Sequence, residues 1–172
     1  RQTAIKILDD INRTAKDATR DQIILALIAA LQDKEHGIRD IAREGLIQIG
    51  SPAVPQLAIA LKNENSMVQE SIIYILGKIG PAAKDAVPQL IHTLRNNKDG
   101  WMEYRPEQAL IKIGSPAVPQ LIEASQDDNI SVRQTVIYTL GKISRTAEDA
   151  TRDQIALVLI AALKDKDYGV QM

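Results

Sequence analysis

The two histidines are the first residues to consider for catalysis or metal binding, because the chain has no cysteine and no other histidine. His36 stands in a polar turn before a helical segment, whereas His92 stands within a different helical segment. A hydrolase needs a nucleophile beside a base, and a metal site needs several ligands that converge. Neither histidine has such companions, so we expect a protein without catalytic residues, metal, cofactor or enzymatic activity.

The acidic turns are the second group that could bind a ligand. Asp127-Asp128 and Asp165-Lys166-Asp167 offer carboxylates that a calcium ion could use. Calcium loops of the EF-hand type also need a central glycine and a distal bidentate glutamate, and both are missing here. Turn and helix-cap chemistry explains these residues better.

Composition narrows the class of protein further. The 172 residues are 45% hydrophobic and 25% charged, with a net charge of −1, which is typical of a globular domain. That balance creates no overall field for nucleic acid, and no apolar run approaches the ~20 residues that span a bilayer. The opening Arg1-Gln2-Thr3 has no Met and no signal-peptide pattern, so we expect part of a longer cytoplasmic protein without a membrane partner.

An internal repeat organises the chain. The segment Gly-Ser-Pro-Ala-Val-Pro-Gln-Leu at 50–57 returns unchanged at 114–121. Repeat ends fall near residues 12, 50, 80, 114 and 144, at spacings of 30 to 38 residues that are typical of helical-hairpin arrays. We predict one all-α domain over 1–172, an α-solenoid (superhelix) of antiparallel helical hairpins with a partial repeat at each terminus.

Each hairpin is predicted to contain a helix A followed by a helix B. Ser51 is expected to cap helix A with Pro52 in its first turn, and Thr19 with Gln22 forms a capping-box pattern in the first repeat.

Helix B shows an apolar stripe with a 3.6-residue period, for example Ile72, Leu76 and Ile79. Gly77 and Gly141 interrupt two B helices, and we expect close helix contacts there. Pro106 would kink its helix B unless that helix begins late, near Arg105.

Three motifs connect the chain to a known family. They are Val132-Arg133 after an acidic turn, Leu-Gly-Lys-Ile-Gly at 76–80, and the Pro-Ala-Val-Pro-Gln-Leu segment. Together they resemble the HEAT-like repeats of the phycobilisome-lyase type, and the resemblance extends over the whole chain. It implies an α-solenoid that serves protein–protein interaction. Iron-dependent HEAT-like hydroxylases carry several His-Glu pairs, and neither histidine here is followed by Glu.

The aromatic residues indicate where a partner would bind. The chain has no Phe, and its one Trp and four Tyr all fall in the helix B frame outside the core stripe. In this kind of solenoid successive B helices line the concave surface, so such positions stack into columns. Tyr and Trp supply large contact areas at interfaces. A basic column of Lys78, Lys112 and Lys142 follows the same helices, while Asp40 and Glu44 make the N-terminal end more acidic.

We therefore predict a non-catalytic scaffold that binds a protein or peptide partner on the concave surface. The candidate binding residues are Tyr74, Lys78, Trp101, Tyr104, Arg105, Lys112, Gln134, Tyr138 and Lys142. Two other functions stay open through the resemblance: a subunit of a bilin lyase, or a weakly nucleic-acid-binding solenoid. Nucleic acid is the less expected ligand, since phosphate contacts need many cations. The partial terminal repeats lack a polar cap, which leaves end-to-end self-association open as well.

Overall fold

The computed structural model describes residues 17–63, 65–96, 106–165 and 167–171. Over these residues the chain forms α-helices and short 3-10 turns, and no strand occurs among them. The α-helices are α1 (Asp17–Ala30), α2 (His36–Ile49), α3 (Val54–Ala60), α4 (Ser66–Ile79), α5 (Val87–Asn96), α6 (Pro106–Ile113), α7 (Val118–Ala124), α8 (Ile130–Ile143), α9 (Asp149–Ala162) and α10 (Tyr168–Gln171). The predicted all-α class is confirmed.

The helices alternate between two layers. The odd-numbered helices are the A helices and the even-numbered helices are the B helices, and each hairpin packs against the next. Contacts run from α2 to α4, α6, α8 and α10 in one layer, and from α1 to α3, α5, α7 and α9 in the other. This side-by-side stacking of antiparallel hairpins is an α-solenoid, as predicted.

One leucine in each complete B helix anchors the core. Leu46, Leu76, Leu110 and Leu140 occupy the same helix position, and all four are fully buried. The A helices contribute a matching set that includes Leu57. Burying each of these side chains contributes about 2–3 kcal/mol, so the repeated stripe supplies much of the stability of the array.

The predicted cap of helix A at Ser51 is wrong. Gly50 has φ +71°, and Ser51–Ala53 then form a 3-10 turn in which no side chain caps the backbone. The Ala53 N–H donates to the Gly50 carbonyl at 3.0 Å, and α3 begins only at Val54. The positive φ of the glycine therefore starts the turn, and the backbone satisfies its own donors without the hydroxyl.

The capping box predicted at Thr19 is wrong as well. Helix α1 already includes Asp17, so Thr19 lies inside the first turn rather than before it. Its counterpart Thr151 lies inside α9, which begins at Asp149 after the extended residue Glu148.

Pro106 is the first described residue of α6 and is buried. Residues 101–105 lie outside the described residues, so the late start of this helix near Arg105 stays a prediction. No helix among the described residues is long and apolar enough to cross a bilayer.

The two B-helix glycines differ in their surroundings. A Cβ on Gly77 would lie 3.3 Å from the Ala109 Cα of α6, whereas a Cβ on Gly141 would have no heavy atom within 4 Å. The close helix approach is confirmed at Gly77 and wrong at Gly141. At Gly141 the neighbour in the B layer is α10, which has four residues and whose Gly169 lies beside Gln134 in the first half of α8.

Candidate functional site

Five predicted binding residues lie on three successive B helices and form what we call the Tyr–Lys surface. They are Tyr74 and Lys78 on α4, Lys112 on α6, and Tyr138 and Lys142 on α8. The three lysines stand at the same position, next to last in each helix, because the repeats place equivalent residues in register. The repeat spacing therefore produces a column of ammonium groups across the array.

Each tyrosine on this surface supports the lysine one turn later. The Lys78 Nζ lies 5.4 Å from the centre of the Tyr74 ring, and the Lys142 Nζ lies 5.0 Å from the centre of the Tyr138 ring. Residues four apart share one helix face, and an ammonium group within ~6 Å of a ring is attracted to its negative face. These cation–π contacts restrict the two lysines without neutralising their charge.

The two tyrosines differ in exposure. Tyr138 is 55% exposed, while Tyr74 is partly buried and packs against the hydrophobic core. A half-exposed tyrosine beside a lysine provides apolar area, a hydroxyl and a positive charge within one patch. Tyr138 therefore offers more of its ring to solvent than Tyr74 does.

Lys112 stands on the B helix between the two that carry the Tyr–Lys pairs. Its Cδ would lie 3.3 Å from a Cβ built on Gly77, so the aliphatic stem of Lys112 lies against the backbone of α4. The neighbouring residue in that helix is Lys78. The missing side chain at Gly77 thus allows a lysine of one repeat to lie over the preceding repeat.

The lysine charges on this surface are not paired within the described part of the chain. The ion pairs found there connect His36 and four arginines to aspartates, and none includes Lys78, Lys112 or Lys142. An unpaired column of like charge is available to an anionic partner.

The remaining predicted residues lie at the margin of this surface or outside the residues that the structure describes. Gln134 is exposed one turn before Tyr138, and its amide lies where a side chain on Gly169 of α10 would have to go. Trp101, Tyr104 and Arg105 lie outside the described residues, so their placement on the surface stays a prediction.

Arg133 is the charged residue whose role the sequence reasoning missed. It is 3% exposed, and its guanidinium donates to the Asp127 and Asp128 carbonyls at 2.8 and 3.2 Å. It also donates to both carboxylate oxygens of Asp165 at 3.0 and 3.1 Å, and it pairs with Asp167. The hydrogen bonds to Asp165 raise the pKa of Arg133 further, although burial opposes this.

These bonds connect the turn before α8 to the next turn of the array. Arg133 therefore stabilises the stacking of repeats and is not available to a partner. The Val-Arg pair was a visible signal in the sequence, but its acidic partners lie more than 30 residues later.

A groove of about 900 Å³ lies between α5 and α7, away from the Tyr–Lys surface. His92 and Glu123 line it, and His92 contacts Asn96 within its own helix. No group of three or more His, Asp or Glu residues converges as metal ligands anywhere in the described ranges. The groove therefore offers neither an assembled metal site nor a nucleophile.

Comparison with solved structures supports the fold. The chain is similar to a chain in the complex of CpcE and CpcF of phycocyanin lyase from Nostoc sp. PCC7120, with 24% identity and a TM-score of 0.53. That match covers 86% of this chain and 93% of the other. It is a likeness of fold.

More distant similarities have TM-scores too low to carry an argument. A designed armadillo repeat protein is 13% identical, with a TM-score of 0.42 over 99% of this chain and 88% of that one. An archaeal HEAT-like repeats protein from Thermococcus onnurineus NA1 is 15% identical, with a TM-score of 0.37 over 93% and 72%. No curated protein matches the sequence.

Family models identify the repeats directly. A model described as HEAT repeats matches residues 24–111, and a second, described as HEAT repeat, matches residues 117–147. The first match alone covers half of the chain, and both lie on the hairpins whose buried leucines and stacked B helices are described above. By its sequence as well as its architecture, this chain belongs to the HEAT-repeat family.

Proposed function

We propose that this protein is a non-catalytic scaffold that binds a protein partner across its B helices. The observation that carries the proposal is the Tyr138–Lys142 pair, in which Tyr138 is 55% exposed and Lys142 is partly exposed. Leu140 and Ile143 of the same helix are buried, so packing does not require an aromatic residue at position 138. Tyrosine is among the residues that most often dominate binding energy at interfaces.

The stacking of the repeats supports a shared binding surface on the B helices. Successive B helices contact one another from α2 to α10, and α4 meets α6 closely at Gly77. Stacked hairpins of this kind form extended concave surfaces, and we place the B helices on that side, where a partner segment can contact several repeats at once.

Panning a phage-displayed library of random peptides against the immobilised protein tests the proposal. A Tyr138→Ala, Lys142→Gln variant removes one exposed ring and one charge from the Tyr–Lys surface. Ile59→Ala with Lys62→Gln is the matched control. Ile59 is 69% exposed on the A helix α3, and Lys62 is exposed in the turn after that helix.

Enriched peptides should bind the wild type and the control equally. They should bind the Tyr138→Ala, Lys142→Gln variant about tenfold more weakly or worse, as expected when a hot-spot tyrosine is lost. Circular dichroism should show the same helicity in all three proteins. The scaffold proposal would be refuted if the library yields no enriched peptide, or if the enriched peptides bind the Tyr138→Ala, Lys142→Gln variant as tightly as the wild type.

Bilin binding is the alternative function that the fold similarity suggests. Mixing the protein with a free bilin and recording the absorption spectrum separates the two functions. The scaffold proposal expects an unchanged spectrum, and a shifted spectrum that Tyr138→Ala restores would favour the alternative.

A further inference from the structure

We infer that the partner segment is acidic, is extended as a polyproline II helix and carries a carboxylate at every third residue where it crosses α4, α6 and α8. This inference rests on the proposed function and adds the chemistry and conformation of the bound segment. It depends on the charge of the Tyr–Lys surface and on the spacing of its lysines.

The positive charge of the Tyr–Lys surface favours a partner segment with negative charge. Lys78, Lys112 and Lys142 present three like charges in three consecutive repeats, and none of them has a carboxylate partner among the described residues. The acidic residues Glu70 and Glu107 of the same helices stand more than one turn before the lysines. A neutral or basic segment would leave the ammonium groups uncompensated, whereas an acidic segment pairs with each of them.

The spacing of the lysines selects the conformation of the partner. Packed helices lie about 8–10 Å apart, so equivalent lysines of successive B helices are separated by about that distance. A polyproline II helix rises about 3.1 Å per residue and has three residues per turn, which places every third side chain on one face about 9 Å apart. A β-strand alternates its side chains with a period of two, so its third residue points to the other face.

The tyrosines restrict the side chains of the two outer lysines before a partner binds. Tyr74 and Tyr138 hold the ammonium groups of Lys78 and Lys142 above their rings, at 5.4 and 5.0 Å from the ring centres. The central Lys112 has Gln108 at the corresponding position, but its stem is supported by Gly77. Lysines that are already restricted lose less side-chain entropy when a carboxylate binds.

Nucleic acid is also anionic, and the surface argues against it. Tight phosphate binding uses many cations, whereas this column has three, and Glu44 adds an exposed negative charge on the preceding B helix. A short oligothymidine therefore belongs in the test as the competing ligand.

Fluorescence anisotropy with labelled nonapeptides tests the inference. The main probe is Glu-Pro-Pro repeated three times. A peptide of three adjacent Glu and six Pro keeps its composition and changes the spacing, and Lys-Pro-Pro repeated three times reverses its charge. Binding is measured for the wild type, for Lys78→Gln, Lys112→Gln and Lys142→Gln separately, and for Lys62→Gln, a lysine outside the column.

We expect the evenly spaced acidic peptide to bind more tightly than the other two peptides and the oligothymidine. Each substitution in the column should weaken it about two- to fivefold, as for a solvent-exposed ion pair, and Lys62→Gln should leave it unchanged. Added salt should weaken the binding further, because it screens exposed charges. Unchanged melting temperatures would show that the lysines act on the ligand and not on the fold.

Four results would overturn the inference: no binding of the evenly spaced peptide, equal binding of the adjacent-Glu peptide, preference for the oligothymidine, or no effect of the column lysines. None of these results would by itself refute the scaffold. Peptides of other chemistry, enriched from the random library and dependent on Tyr138, would keep the proposed function while removing the acidic partner.

Discussion

Helices α4 and α8 end in nearly the same sequence, Tyr-Ile-Leu-Gly-Lys-Ile and Tyr-Thr-Leu-Gly-Lys-Ile, and yet their surfaces differ. In α4 the tyrosine packs against the core and Gly77 contacts α6. In α8 the tyrosine is 55% exposed and Gly141 faces open space. The helix beside each one differs: α6 (Pro106–Ile113) packs against α4, and α10 (Tyr168–Gln171) packs beside the first half of α8.

The first turns of the two helices also differ, and here α8 makes more hydrogen bonds than α4 does. In α4 the residue after Val68 is Gln69, which donates one hydrogen bond to the Leu61 carbonyl at 3.2 Å. In α8 the corresponding residue is Arg133, which connects two turns of the array. Helix α4 is therefore held mainly by close apolar contact with the next repeat, and α8 by a buried charged anchor.

The substitution Arg133→Gln gives α8 the residue that α4 already has, and we expect the largest loss of stability from it. Asp165 would lose its buried partner, and two backbone carbonyls would lose their donor. The free energy of unfolding in urea should fall more for Arg133→Gln than for Arg39→Gln. Among the described residues, Arg39 donates only to the Asp33 and Lys34 carbonyls, at 2.7 and 3.0 Å. Equal losses for the two variants would mean that the Asp165 pair adds nothing.

The glycines should respond in opposite directions to one substitution. Gly77→Leu forces a side chain against the Ala109 backbone, and overpacking of this kind costs about 1–3 kcal/mol. Gly141→Leu meets no atom within 4 Å of its Cβ and should be neutral or gain up to about 1 kcal/mol in helix propensity. Urea denaturation of the pair measures both values. If Gly77→Leu is as stable as the wild type, the contact between α4 and α6 is looser than described.

The tyrosines should separate folding from binding. Tyr74→Ala removes a ring that packs partly against the core, and we expect a loss of about 1–2 kcal/mol, below the cost for a fully buried aromatic residue. Tyr138→Ala changes an exposed side chain and should stay within about 0.5 kcal/mol of the wild type. Thermal denaturation compares them. Tyr138 would have a structural role if its removal lowered stability as much as that of Tyr74.

From the turns before α4 and α8 we expect a small difference in stability that depends on pH. Burial alone would raise the pKa of Asp127, but hydrogen bonds from Arg95 and from the Asn129 N–H, with the charges of Arg95 and Arg133, hold that pKa below its ordinary value. In the turn before α4 the corresponding residue is Asn63, whose side chain accepts the same backbone hydrogen bond from Asn65 at 2.8 Å.

Asp127→Asn therefore copies the turn before α4 and removes only the charge. A carboxyl whose pKa is lower in the folded state stabilises the protein above its unfolded pKa of about 3.9 and loses that effect as the pH falls through the folded value. The variant should be less stable by below about 1 kcal/mol at pH 7, and the difference should vanish in acid. Urea titrations at several pH values measure it; a difference that grows in acid would contradict the assignment.

The hairpins and their core were predictable because their signals are local. The buried leucines follow a 3.6-residue period, and the turns contain Gly, Pro, Asn and Asp. Leu76 and Ile72 were assigned to the core from spacing alone, and both are fully buried. The sequence does not separate a cap at Ser51 from a turn that starts at Gly50, because both residues suit a helix start and only the positive φ of Gly50 decides between them.

The candidate site was less predictable, because exposure depends on the adjacent repeat. The lysine column follows from the repeat register, so the sequence could align Lys78, Lys112 and Lys142. It could not show that Lys112 lies against Gly77 or that each tyrosine supports a lysine, since these contacts depend on side-chain conformation.

By itself, the sequence determined the helical class, the order of hairpins, the core stripe and the alignment of equivalent residues, because all four follow from local periodicity and turn chemistry. The tertiary structure decided which of two similar helices exposes its tyrosine, which glycine touches a neighbour, and which carboxylates receive Arg133. The physical reason is that these outcomes depend on contacts between repeats more than 30 residues apart, where similar local sequences meet different neighbours.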